Sequence, residues 1–264
     1  MLDEGLEKIL GIYWECSTDM FKFHLKFHHV NAAVIAGERV PTKREMLSII
    51  MSTFDPLGFI SMFTVGGKLI LREVWRHNCR WDEKVPEILA NSWHQWRRQM
   101  EKIVDFQIPR CYFPAGLPKS VDVHVFADAS EDAFAPVAYW RYVDENGAVQ
   151  VRFIAAKTKV APMKVVTIPR LELQAAVLGT RLLTTILSGH NFAPQNCTLW
   201  SDSKTVLKWI DSTHRRYKPY VAHRVAEILA STKIENWKWL PTAENVADEA
   251  TRTSTNIDFS ANSR

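Results

Sequence analysis

Hydrophobic and polar residues alternate near the start of the chain. Phe21, Phe23, Leu25 and Phe27 interleave with Lys22, His24, Lys26 and His28, the period-two signature of a strand with one wet face. With the apolar run at 10–16 and the turn Ser17-Thr18-Asp19, they predict a hairpin over 10–28. The period then lengthens. Thr42-Lys43-Arg44-Glu45 reads as a capping box, and Met46, Leu47, Ile49 and Ile50 continue a helix that Asp55-Pro56-Leu57-Gly58 ends. Further helices are predicted over about 62–78 and 86–105, the second with Trp93, Trp96, Met100, Ile103 and Val104 on its core face.

The pattern changes near residue 115. The prolines and glycine of 109–118 break regular structure and mark a linker. Beyond it, strands are predicted at 121–128, 136–143 and 149–156, the last two joined by an Asn146-Gly147 turn. A helix starts at Pro169 and carries Leu171, Ala175, Leu178 and Leu182 on one side. A strand at 198–201, helices at 203–210 and 217–231, a strand at 236–240 and a short helix from Asn245 complete an α/β order, β-β-β-α-β-α-α-β-α. Pro136 would delete a ladder hydrogen bond at the start of an interior strand. Trp140, Trp200, Trp209, Trp237 and Trp239 are expected to pack in the core.

Composition narrows the class. With 47% hydrophobic and 23% charged residues over 264 positions, the chain is globular rather than disordered. No window approaches the apolar length of a membrane-spanning helix, and the acidic opening does not read as a secretory signal. Cys16, Cys79, Cys111 and Cys197 lie far apart, without the spacing of a zinc site, and read as free thiols of a reducing compartment. The Asn196-Cys197-Thr198 sequon reads as chance.

A formal net charge of +4 permits a polyanionic partner without requiring one. The basic residues gather at His214-Arg215-Arg216-Tyr217-Lys218, at Lys204 and Lys208, and at Lys157, Lys159, Lys164 and Arg170. Such groups suit phosphate contacts, although each alone also suits a solvated face.

Four acids occupy privileged places. Asp128 and Asp202 end predicted strands, Glu172 lies in the first turn of the helix from Pro169, and Asp248 opens the last helix. An aspartate at a strand end is usually a cap or turn former. Together the four say more. First and fourth strands are neighbours in many α/β sheets, and acids brought together there repel unless cations neutralise them. Hard divalent metal held by carboxylates and substrate phosphate is the usual resolution. Two such ions activate water and stabilise the leaving oxygen of a phosphodiester.

Long phrases around these acids carry a family resemblance. Phe126-Ala127-Asp128-Ala129-Ser130, Arg170-Leu171-Glu172-Leu173, Trp200-Ser201-Asp202-Ser203 and Glu244-Asn245-Val246-Ala247-Asp248 resemble the acid quartet of ribonuclease H. Ala155-Ala156-Lys157-Thr158-Lys159-Val160-Ala161-Pro162, Thr167-Ile168-Pro169-Arg170 and Asp248-Glu249-Ala250-Thr251-Arg252 resemble the BEL/Pao group of LTR retrotransposon polyproteins. So do Leu10-Gly11-Ile12-Tyr13-Trp14, Pro41-Thr42-Lys43-Arg44 and Phe54-Asp55-Pro56-Leu57-Gly58-Phe59. The resemblance covers about residues 8–253.

It implies a ribonuclease H-like five-stranded mixed sheet, order 3-2-1-4-5, with flanking helices. A mainly helical reverse-transcriptase thumb/connection-like segment with a β-hairpin would precede it. The implied domains are 1–114 for that segment, 115–253 for the ribonuclease H-like domain and 254–264 for a disordered tail. The implied activity is endonucleolytic hydrolysis of the RNA strand of RNA–DNA hybrids with two Mg²⁺ or Mn²⁺ ions. Asp128 would bridge both metals, Glu172 and Asp202 would share the first, and Asp248 would hold the second. Lys157, Lys159, Arg170, Lys204, Arg215, Arg216 and Lys218 are the candidate nucleic-acid contacts.

The implied partner is the upstream reverse-transcriptase palm and fingers of the same polyprotein, in cytoplasmic virus-like particles and with no membrane role. Tyr142-Val143-Asp144-Glu145 superficially resembles a polymerase signature but lies in a turn between strands, so no polymerase activity is expected. Asp211-Ser212-Thr213 lacks the glycine of an aspartic peptidase. The alternative reading is a truncated or domesticated remnant that binds nucleic acid or protein without cutting. A third is a structural scaffold for a separate palm.

Overall fold

A computed structural model describes residues 6–9, 11–27, 30–212, 216–252 and 257, and its contacts divide the chain into two compact units. The first comprises Met1–Pro56, Met62–Cys111 and Thr253–Arg264. The second comprises Leu57–Ser61 and Tyr112–Arg252. Of the tail at 254–264, only Ile257 lies among the described residues.

In the first unit, strands β1 (Leu6–Ile9), β2 (Ile12–Glu15) and β3 (Met20–Lys22) form an antiparallel meander. Short helix α1 (Ala32–Ala36) is followed by α2 (Lys43–Ser52), α3 (Ser61–Arg76) and α4 (Glu87–Ile103), and β4 (Gln107–Pro109) returns to pair with β3. The hairpin is shorter than its alternation suggests. Beyond Lys22 the three-residue β4 offers no further partner, and Phe23 is buried and stacks on Phe106 instead. His28 lies outside the described residues. Pro109, expected in a linker, ends β4; a strand edge tolerates the missing N–H.

The capping box at Thr42 forms as expected, with Glu45 accepting from the Thr42 N–H and Thr42 from the Glu45 N–H. Trp93, Trp96, Met100 and Ile103 are buried, whereas Val104 follows the end of α4 and is exposed. Gly66 and Gly67 make room for Trp96, because a Cβ on Gly67 would come within 2.6 Å of the indole. The Trp96 Nε1 donates to the Phe63 carbonyl at 2.8 Å, so this large ring is both packed and satisfied.

The second unit is built on strands β5 (Val121–Ala129), β6 (Ala133–Val143), β7 (Val149–Ala156), β8 (Lys159–Val160), β9 (Asn196–Ser201) and β10 (Trp237–Trp239). Helix α5 (Ile168–Gly189) precedes β9, and α6 (Lys204–Asp211) and α7 (Pro219–Ser231) follow it. The sheet runs β10-β9-β5-β6-β7, with β8 beside β6. β5, β6 and β7 are antiparallel, while β9 and β10 run parallel to β5. Numbered within the unit, the five main strands stand in the order 3-2-1-4-5.

Alternation explains this arrangement. Val121, Val123, Val125 and Ala127 point to one face of β5, where Leu173, Ala176, Val177 and Leu183 of α5 join Val121, Val123 and Val125 in one buried cluster. Gly179 lets the helix approach, with the Val125 side chain 3.5 Å from where its Cβ would be. The expected Asn-Gly turn joins β6 to β7, with Gly147 at φ +80° and Asp144 accepting from Asn146 and Ala148. The expected last helix is instead a 3-10 turn, Val246–Ala250, following other such turns at Ile234–Asn236 and Thr242–Glu244.

Two backbone features need physical accounts. Pro136 sits inside β6, opposite Ala127. Its carbonyl accepts from Lys157 N at 3.1 Å, and N and O of one antiparallel residue face the same neighbour. The missing donor therefore faces the interruption between β7 and β8, so the proline deletes no continuous ladder. Leu57–Ser61 add a strip at the end of β7: Leu57 O accepts from Ala156 N at 2.8 Å and Phe59 packs on Phe153. Gly58 has φ +78°, and a Cβ there would stand 2.1 Å from Ala156 O.

Candidate active site

The parallel ladder pairs Ala127 with Ser201, which puts Asp128 and Asp202 one step further along adjacent strands, at their C-terminal ends. Asp128 is 7% exposed, and Thr251 Oγ1 donates to its Oδ2 at 2.5 Å. Glu172 is the fifth residue of α5, just past its first turn because the helix starts one residue earlier than expected, and it accepts at Oε2 from Ser203 Oγ at 2.6 Å. That serine also caps α6 by accepting from Val206 N, using its hydroxyl in both directions. Thr242 Oγ1 donates to Asp202 Oδ2 at 2.6 Å. Asn245 Nδ2 donates to Ala127 O at 3.2 Å and reaches Asp202 Oδ1 at 3.5 Å. Asp248, in the Val246–Ala250 turn, takes the Arg252 Nε at 2.7 Å.

Asp202 acts electrostatically on both Asp128 and Glu172, and Asp248 on Asp128. Burial pushes Asp128 up to about 6, opposed by the Thr251 hydroxyl and reinforced by the charges of Asp202 and Asp248. Burial also raises Glu172, opposed by Ser203 and reinforced by Asp202. Among the described residues, no three His, Cys, Asp or Glu side chains already stand close enough to enclose an ion. The donor chemistry nevertheless fits a hard divalent cation. All four groups offer oxygen, and carboxylates that are desolvated and repel one another gain most from bound positive charge.

Lys157, Lys159, Arg170, Lys204, Arg216 and Lys218 are exposed, while Arg215 lies outside the described residues. Arg170 stacks 5.1 Å from the Tyr220 ring centroid, with Arg224 on the same ring at 3.6 Å. Lys204 lies 4.8 Å from the Trp239 ring centroid.

Trp239 corrects the sequence expectation. It is 46% exposed rather than packed, because β10 is the edge strand and its last residue lies beside the acids. Its Nε1 donates to the Asp202 carbonyl at 3.1 Å, which holds an exposed indole next to the site. Trp140 and Trp237 are buried as expected, and Trp200 and Trp209 are half-buried. Sequence reading missed the hydroxyl donors Ser203, Thr242 and Thr251. Only the adjacency of Ser203 to Asp202 and of Thr251 to the Asp248 turn hinted at them.

Strand order, the α5 crossing and the placement of the acids define this unit as a ribonuclease H-like α/β domain. The model of the Pao retrotransposon-like RNaseH-like domain matches residues 42–203, more than half of the chain, and the chain belongs to that family. The match ends just after Asp202 and does not reach Asp248. Similar solved structures include the N-terminal RNase H domain of rv2228c from Mycobacterium tuberculosis, fused to maltose binding protein. It is 16% identical, with TM-score 0.33, and the alignment covers 48% of this chain and 86% of that one. RNase H1 of the halophilic archaeon Halobacterium salinarum is 14% identical, with TM-score 0.31, covering 48% and 89%. The foamy viral protease-reverse transcriptase in complex with dsDNA is 9% identical, with TM-score 0.26, covering 90% of this chain and 44% of that chain. No curated protein matches the chain.

Proposed function

We propose that this protein is a metal-dependent endonuclease that hydrolyses the RNA strand of RNA–DNA hybrids within a retrotransposon reverse-transcription polyprotein. One observation carries the reading: the β5–β9 register sets Asp128 and Asp202 side by side at the strand ends, where Asp202 also acts on Glu172 and Asp248 on Asp128. Membership of the Pao family supports it. In this reading residues 1–114 serve as the thumb/connection-like segment and 115–253 as the ribonuclease H-like domain, with the upstream palm as partner.

In this reading Asp128, Glu172, Asp202 and Asp248 hold two Mg²⁺ or Mn²⁺ ions. When bound, such ions supply water activation and charge stabilisation at the leaving oxygen. The protein's own part is positioning. Ser203 and Thr242 fix one oxygen each of Glu172 and Asp202, so neither carboxylate rotates freely. Lys157, Lys159, Arg170, Lys204, Arg215, Arg216 and Lys218 contact phosphates, giving affinity that falls with salt. Preference for RNA comes from the 2′-hydroxyls displayed in the wide minor groove.

The test is cleavage of a labelled RNA–DNA hybrid with Mg²⁺ or Mn²⁺, beside single-stranded RNA and duplex DNA. Asp128→Asn and Asp202→Asn are expected to lower the hybrid rate at least about 1,000-fold, equivalent to roughly 4 kcal/mol of lost transition-state stabilisation, with the fold intact. Hybrid cleavage by Asp128→Asn at the parent rate would remove the reading.

A further inference from the structure

We propose that Thr251 is a positioning residue whose hydroxyl latches the turn carrying Asp248 to the strand end carrying Asp128. The inference rests on the nuclease reading for its purpose, but its geometry stands alone. Thr251 is completely buried, and its Oγ1 lies 2.5 Å from Asp128 Oδ2 and 3.0 Å from Asp248 O. A hydroxyl has one proton, and the nearer, acidic oxygen takes it. The Asp248 carbonyl does not need it, since it already accepts from the Thr251 and Arg252 N–H groups at 3.1 and 3.2 Å. The turn therefore closes through its backbone, which leaves the side-chain hydroxyl for Asp128.

The same residue is held from the other side. Ser130, two residues beyond Asp128, donates its Oγ to Thr251 O at 2.8 Å. Thr158 donates to the neighbouring Ala250 O at 3.3 Å, and Ala247 and Ala250 pack against Ala135, Val137 and Ala156. The segment from Val246 to Thr251 thus meets the end of β5 and the turn just after it by two hydrogen bonds at Thr251, one of them directly to a candidate metal ligand. Ser203 bonds Glu172 and Thr242 bonds Asp202. Among the described residues, Thr251 carries the side-chain hydrogen bond from the Asp248 turn to the Asp128 carboxylate itself, beside the bond of Asn245 to the Ala127 carbonyl, so it helps set the spacing on which a shared pair of ions would depend.

Thr251→Ser and Thr251→Ala test this most cleanly, because both lose the methyl and differ only in the hydroxyl. Thr251→Val removes the hydroxyl while keeping the shape. Two readouts are needed besides cleavage. In metal-free protein, amide hydrogen exchange over Val246–Ala250 is expected to rise about tenfold in Thr251→Ala and to stay near parental in Thr251→Ser. In an Mn²⁺ titration followed by the shift in melting temperature, the midpoint concentration is expected to rise about tenfold in Thr251→Ala and Thr251→Val, and at most about twofold in Thr251→Ser. Parental exchange in Thr251→Ala, or equal impairment of the serine and alanine variants, would overturn the latch. A parent protein that neither cuts hybrid nor shifts its melting with Mn²⁺ overturns the nuclease reading instead, and the metal-free exchange comparison still decides whether the latch exists.

Discussion

Asp128 is where stability and function pull apart. Its carboxyl titrates near 6 in the folded, metal-free protein against an ordinary value of 3.8, so the native state binds the proton more tightly than the unfolded chain. Between those values, stability falls as pH rises, and above about 6 the full penalty remains, on the order of 3 kcal/mol. Metal-free Asp128→Asn is therefore expected to melt above the parent at pH 7, with the gap shrinking toward pH 4; calorimetry across that range checks it. A lower melting temperature at pH 7 would mean that the carboxylate is structural. Lys204 gives a second prediction at this scale. Lys204→Ala is expected to weaken hybrid binding and to reduce its salt slope by about one, as loss of a single phosphate contact requires. The ends of β5 and β9, and with them the places of Asp128 and Asp202, were readable from the sequence because strand ends follow from local pattern and turn residues. Their hydroxyl partners were not. Ser203, Thr242 and Thr251 are ordinary residue types, and two of them meet acids 40 and 123 positions away.

At the scale of elements, local chemistry was legible where partners lie close in sequence. The Thr42 capping box, the Asn146-Gly147 turn and the Pro169 helix start all depend on neighbours within a few residues. Strand lengths were less so, because a strand ends where its partner does. Phe23 and Phe27 alternate correctly, but the ladder stops at Lys22 for lack of a facing strand. Pro136 likewise reads as a defect in one dimension and as neutral once the break in the neighbouring strand is seen. Gly58 supplies the prediction here. Its positive φ and the Ala156 carbonyl 2.1 Å from a Cβ leave no room for alanine. Gly58→Ala is expected to cost about 2 kcal/mol or more and lower the melting temperature by roughly 4 °C or more. An unchanged melting curve would show that the strip contributes little.

At the scale of the whole molecule, the sequence signals a change of character near 115, but not that the second unit borrows five residues from far upstream. Leu57–Ser61 reach the end of β7 across about a hundred positions of sequence, and no local pattern announces such a return. The unit is therefore not a contiguous stretch of chain, which has a consequence for proteolysis. A protease nick in the exposed Pro114–Leu117 loop would divide the chain into two fragments without freeing them, because Leu57–Ser61 of the first stay bound within the second unit. The nicked protein should elute from a sizing column as one intact body, and two fragments should emerge only in denaturant.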